Sequence, residues 1–117
     1  MALHILIRIV AGLLLVAATA CTTTSSKAMI EGGEAKLIPG TAELSGPLDI
    51  EVNGTVEAQG QRTQIKVYMM DCRAGNGPIL IEDGSHARIP NAIAAGSNPA
   101  DRIFAELCAE ILRTRRP

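Results

Sequence analysis

Three cysteines hold most of the reactive chemistry in this 117-residue chain: Cys21, Cys72 and Cys108. An odd number in an exported protein leaves one thiol without a partner inside the fold. Cys21 ends an oily run, LLLVAATAC, and is followed by the hydroxyl-rich TTTSS. The other reactive side chains are few. Apart from His4 near the start, His86 is the only histidine, so a histidine-rich metal site has no members. Two cysteines and one histidine at these positions also lack zinc-ligand spacing. Ser85 directly precedes His86, and neighbours on an extended chain point to opposite faces, which separates a nucleophile from its base. Glu82 and Asp83 offer carboxylates to a cation but lack a fuller ligand set, and they read as a turn. Gly75-Asn76-Gly77 is not followed by the Lys-Ser/Thr and helix of a phosphate cradle. The sequence therefore assigns no catalytic, metal-ligating or cofactor-binding residue, and no cofactor.

The first segment has the build of a targeting signal. Met1 to Arg8 supplies the positive end, and Ile9 to Ala18 is apolar throughout apart from Gly12. It is short for a membrane span of roughly 20 apolar residues. Ala18-Thr19-Ala20 fits the small-x-small site of ordinary signal peptidase, which gives plain secretion, and a retained membrane helix is the third alternative.

Ala18-Thr19-Ala20-Cys21 also resembles the lipobox of bacterial lipoproteins, with Ala18 where that family usually has Leu. The resemblance covers the signal region and not the domain that follows. It implies cleavage before Cys21, attachment of lipid to the Cys21 thiol, and a protein held on a membrane. Thr22 rather than Asp after the lipidated position implies the outer membrane, facing the periplasm. Several acyl chains hold firmly where one does not. With Cys21 modified, Cys72 and Cys108 remain as a pair. The polar run from Thr22 to Lys27 suits a flexible tether.

The expected organisation is a cleaved signal peptide over 1–20, lipid attachment and tether over 21–33, and one small domain over 34–117. Without Arg8, ten basic side chains face twelve acidic ones, a balance that gives no attraction for nucleic acid. With one Phe, one Tyr and no Trp, the core must be aliphatic.

Pattern then places the elements. Glu34 to Ile38 permits one short strand among Gly and Pro punctuation. Leu48, Ile50, Val52, Gly54, Val56 and Ala58 alternate with polar residues, predicting a long half-buried strand. Asn53-Gly54 inside it is a hairpin dipeptide, but a two-residue loop would put the apolar side chains of the two arms on opposite faces. The remaining readings are a three-residue turn or a continuous strand with a bulge at Gly54, and the continuous strand is preferred. Thr63 to Cys72 reads as its antiparallel partner, Ile79 to Ile81 as a third strand and His86 to Ile89 as a fourth, with a turn of helix over Asn91 to Ala95.

Asn98, Pro99 and Asp101 open a C-terminal helix with Ile103, Phe104, Leu107, Cys108, Ile111 and Leu112 on its apolar face. Arg113, Arg115 and Arg116 suit its carbonyl end, or contact with anionic lipid. The fold class is α+β, a small antiparallel sheet of three to four strands packed against that helix. Cys72 at a strand end and Cys108 on the helix are placed to form a disulfide, the alternative being two buried thiols.

These features point to a membrane-anchored, non-enzymatic binding or scaffolding module with an envelope protein as partner. Its contact surface would be the exposed strand face or the loop from Arg73 to Pro78. The alternative is an exported enzyme inhibitor or small enzyme without an anchor. Protein extracted from membranes is expected to exceed the mass of the chain starting at Cys21 by its lipid, and Cys21→Ala to lose that increment. An unmodified Cys21 by intact mass spectrometry excludes the lipid anchor.

Overall fold

A computed structural model describes residues 24–114. The segment expected to be a signal peptide, Cys21, Arg115 and Arg116 lie outside the described residues. Its elements in chain order are α1 (Ser26–Glu31), β1 (Lys36–Leu37), β2 (Glu43–Ser45), β3 (Glu51–Ala58), β4 (Gln61–Tyr68), α2 (Met69–Ala74), β5 (Asn76–Glu82), β6 (Arg88–Ile93) and α3 (Pro99–Thr114). The fold is α+β, with a curled antiparallel sheet of six strands where the sequence suggested three to four. Among the described residues no helix is long and apolar enough to cross a membrane.

The two central strands follow their alternation. β3 buries Val52, Gly54, Val56 and Ala58, and β4 buries Ile65 and Val67. They pair without a break from Glu51↔Tyr68 to Ala58↔Gln61. The hairpin turn is Gln59-Gly60, with φ of 51° and 77°, the positive pair that a type I′ turn requires. Asn53-Gly54 is therefore neither turn nor bulge. A Cβ at Gly54 would stand 2.7 Å from Leu107 Cδ1 and 3.2 Å from Leu37 Cδ1, so this glycine lets α3 approach the sheet.

β1 and β2 share the outer edge of β3 as one interrupted strand. Leu37 pairs with Val56 and Leu44 with Val52, so this edge spends three more residues than β3 over the same span. Thr41 fills the gap: its hydroxyl donates to Ile38 O at 2.7 Å and accepts from Thr55 N at 3.1 Å. The Ala42 amide donates to Glu110 Oε1 of α3 at 3.0 Å, so a side chain from the helix satisfies an edge N–H.

The other edge is β6. It runs to Ile93, through residues that the sequence suggested as a turn of helix. Its register with β5 shifts between Gly77 and Ile79, where Pro78 faces Pro90-Asn91. Neither proline has an N–H to give, so the ladder irregularity falls where donors are missing.

α3 starts as the sequence predicts. Asp101 N donates to Asn98 Oδ1 at 2.8 Å, an N-cap bond. Asp101 is itself buried, with its carboxylate accepting from Ile93 N at 2.9 Å and Asn98 N at 3.4 Å. One carboxylate thus ties the end of β6 to the start of α3, and Gly96 makes room for it.

Two more segments differ from expectation. Ser26–Glu31, assigned to the tether, is helical, capped by the Ser25 hydroxyl, and buries Met29 and Ile30 in the common core. The fold thus begins before residue 34; six residues are too few to display helical periodicity in sequence. Met69 to Ala74, read largely as the end of a strand, is α2. Gly75 closes it in the left-handed region at φ 88°, donating to Asp71 O.

Gly54→Ala is expected to destabilise the protein. Overpacking against Leu107 costs about 1–3 kcal/mol, which exceeds the roughly 0.4–1 kcal/mol gained by restricting the unfolded chain. Urea denaturation of the variant reads this directly, and an unchanged midpoint would show that α3 does not need the close approach.

Candidate functional site

The chemically suggestive residues do not assemble into one site. Ser85 Oγ donates to Asp83 Oδ1 and accepts from Ala87 N at 3.2 Å, while Ser85 N donates to Asp83 Oδ1 at 2.9 Å. The Ser85 hydroxyl, then its amide, hold the Asp83 carboxyl below its ordinary range. His86 is exposed with φ 59°, on a turn rather than an extended chain. Glu82 turns to Lys66 at 3.2 Å, and Glu51 meets the same ammonium at 3.3 Å. These carboxylates, Glu82 first, raise the pKa of Lys66 against the opposing effect of desolvation. Glu82 and Asp83 therefore serve different partners. Among the described residues no group of three or more His, Cys, Asp or Glu side chains is placed to hold a metal ion.

Gly75-Asn76-Gly77 has a structural account. Gly75 caps α2, and a Cβ on Gly77 would stand 2.4 Å from Asp71 Cγ. Of the loop from Arg73 to Pro78, the first two residues complete α2 and the last three begin β5. The exposed sheet face carries the Glu51–Lys66–Glu82 ion pairs.

The structure does bring Cys72 and Cys108 together. They stand at disulfide-bonding distance with Cα atoms 5.1 Å apart. Both are buried, and the link runs from α2 to α3, helix to helix, rather than from a strand end. α2 is thereby pinned to the element that covers the sheet.

The surface that stands out is apolar. Leu48 is 74% exposed, Ile50 52%, Tyr68 37% and Met70 77%. These four line one groove of about 560 Å³ with Asp49, Met69, Asp71 and Arg73. One wall is the approach to β3, the other is α2, and Met69 N donates to Ile50 O at 2.9 Å where they meet. A second cleft, of about 360 Å³, lies between β1 and the start of α3, and is lined by Lys36, Arg102 and Glu106 among others. It presents no exposed large apolar side chain. Contiguous exposed apolar surface rimmed by polar groups marks interaction sites.

Sequence reasoning placed Leu48 and Ile50 in the core because their alternation continues that of Val52. The missing information was where the partner strand stops. β4 ends at Tyr68 and turns into α2, so the sheet runs out beneath these residues. The available signal was helix-favouring Met69 to Ala74 followed by Gly75.

The fold and groove define a small α+β domain with, among the described residues, one groove lined by four exposed large apolar side chains. No family model, curated protein or solved structure matches the chain.

The Cys72–Cys108 link closes a loop of 36 residues in sequence separation. On the chain-entropy model it contributes roughly 3–4 kcal/mol. Cys108→Ser under non-reducing conditions is expected to lose about that amount in denaturant titration. An unchanged stability would show that the cysteines are not bonded.

Proposed function

We propose that the protein is a lipid-anchored envelope module, tethered through Cys21, that docks an apolar segment of a partner protein in the groove formed by Leu48, Ile50, Tyr68 and Met70. The observation that carries this reading is the convergence of four exposed large apolar side chains at one end of a domain in which Lys66 pairs with Glu51 and Glu82, and Ser85 with Asp83. The role is binding rather than catalysis.

The position of the chain's entry supports a protein occupant over the bilayer. Ser26 Oγ meets Thr63 Oγ1 at 3.1 Å, towards the Gln59-Gly60 end of the central hairpin. The groove lies at the Glu51↔Tyr68 end. Val56, the partner of Thr63, stands five residues from Glu51, about 17 Å along β3. The link from Cys21 to Ser26 spans at most roughly 17 Å. Anchoring through a link that enters towards the opposite end of the hairpin favours a groove that faces away from the membrane. Outer-membrane placement then directs the groove into the periplasm. Asp49, Asp71 and Arg73 supply a charged rim that orients the partner around its apolar anchor.

A photo-reactive side chain at Leu48 is expected to give one discrete protein adduct in intact cells, and the same group at exposed Glu57 not to give it. Ile50→Asp should reduce that adduct about tenfold, the effect of replacing one buried aliphatic contact with a charge. Lipid adducts from Leu48, or a protein adduct insensitive to Ile50→Asp, would overturn the docking reading.

A further inference from the structure

We propose that Met70 is a reversible oxidation site that controls the groove: peroxide-class oxidants convert its thioether to the sulfoxide and turn the apolar wall into polar surface. Three methionines lie among the described residues, and two of them, Met29 and Met69, are each 5% exposed in the core. Met70 is 77% exposed. Susceptibility to oxidation follows access to the sulfur, so adjacent methionines on α2 have opposite fates.

The arrangement is held in place on both sides. Gly75 caps α2, and Cys72 in the same helix stands at bonding distance from Cys108. This fixes the helix with Met69 inward and Met70 on the groove. Both cysteines are buried and face each other, which leaves the Met70 thioether as the accessible sulfur of this helix.

The step balances with hydrogen peroxide alone. A sulfur lone pair attacks one peroxide oxygen, the O–O bond breaks as the S–O bond forms, and the departing oxygen leaves as water after proton transfer. The thioether loses two electrons and the peroxide gains them. The product is polar and chiral, and methionine sulfoxide reductases return it to the thioether. Beside Leu48, Ile50 and Tyr68 the new oxygen is a strong acceptor, and an apolar occupant would have to desolvate it. Control of docking rests on the function proposed above, whereas selective modification does not.

The folded protein is treated with limiting hydrogen peroxide, and its tryptic peptides are fragmented to separate Met69 from Met70. Met70 is expected to gain oxygen about tenfold faster than Met69 or Met29. Comparable rates would overturn the site. On a phenyl matrix the oxidised protein should elute earlier than the untreated one with unchanged circular dichroism, while Met70→Leu should resist the shift. No shift in the wild type, or an equal shift in Met70→Leu, would overturn the change in surface. The Leu48 cross-link supplies the last readout. Its loss on oxidation and retention in peroxide-treated Met70→Leu supports control, whereas its persistence in the oxidised wild type overturns control and leaves docking intact. Absence of the cross-link before oxidation overturns docking, and control with it, while the selectivity and retention results stand.

Discussion

The close approach of α3 to β3 at Gly54 is the contact on which the other features depend. A chain with a single phenylalanine must obtain its burial from aliphatic side chains, and these reward close contact because dispersion falls steeply with separation. Removing one Cβ lets Leu107 sit against the sheet, and Phe104, Leu107, Cys108 and Ile111 share one core with Val52, Val56, Ile65 and Val67. From that position α3 also serves both edges of the sheet. Glu110 accepts the Ala42 amide beside β2, and Asp101 accepts the Ile93 amide at the end of β6.

The groove follows from the same packing. α3 covers the sheet, and Cys108 brings it within bonding distance of α2. α2 turns away from the line of β4 after Tyr68, so the approach to β3 overhangs the sheet with Leu48 and Ile50 uncovered. Apolar surface is exposed here because a short helix occupies the place where a longer strand would have continued the core. The cysteine pair is consequently both a brace for a small aliphatic core and the support of one wall of the proposed docking surface.

Legibility varied with the range of the interaction. The inward faces of β3 and β4 could be read from alternation, and α3 from its cap, proline and apolar spacing, because each signal lies within a few residues. Register reasoning also disposed of Asn53-Gly54 as a two-residue hairpin, although the bulge offered in its place is absent: the ladder is regular and the glycine answers to Leu107. β1 lies within the short strand expected over Glu34 to Ile38, but β2 escaped, because the two make one interrupted edge whose gap is completed by Thr41, an arrangement visible only against β3. The cysteine pair was expected, but its setting was not, since Cys72 lies in a helix that the strand pattern absorbed. Of the groove residues, Leu48 and Ile50 were legible only as apolar positions assigned to the core.

What the sequence by itself determined is local: the apolar run ending at Cys21, the α+β class, the inward faces of the central strands and the amphipathic C-terminal helix. Periodicity encodes which way a side chain faces within its own element. It does not encode where the opposing element ends, and that decided whether Leu48 and Ile50 lie in a core or on a surface. Tertiary structure alone also decided that Asp101 joins β6 to α3, that Gly54 admits a helix, and that Met69 and Met70, neighbours in sequence, lie on opposite sides of the boundary between core and groove. The physical reason is that burial belongs to contacts between distant segments, and those exist only once the chain has closed on itself.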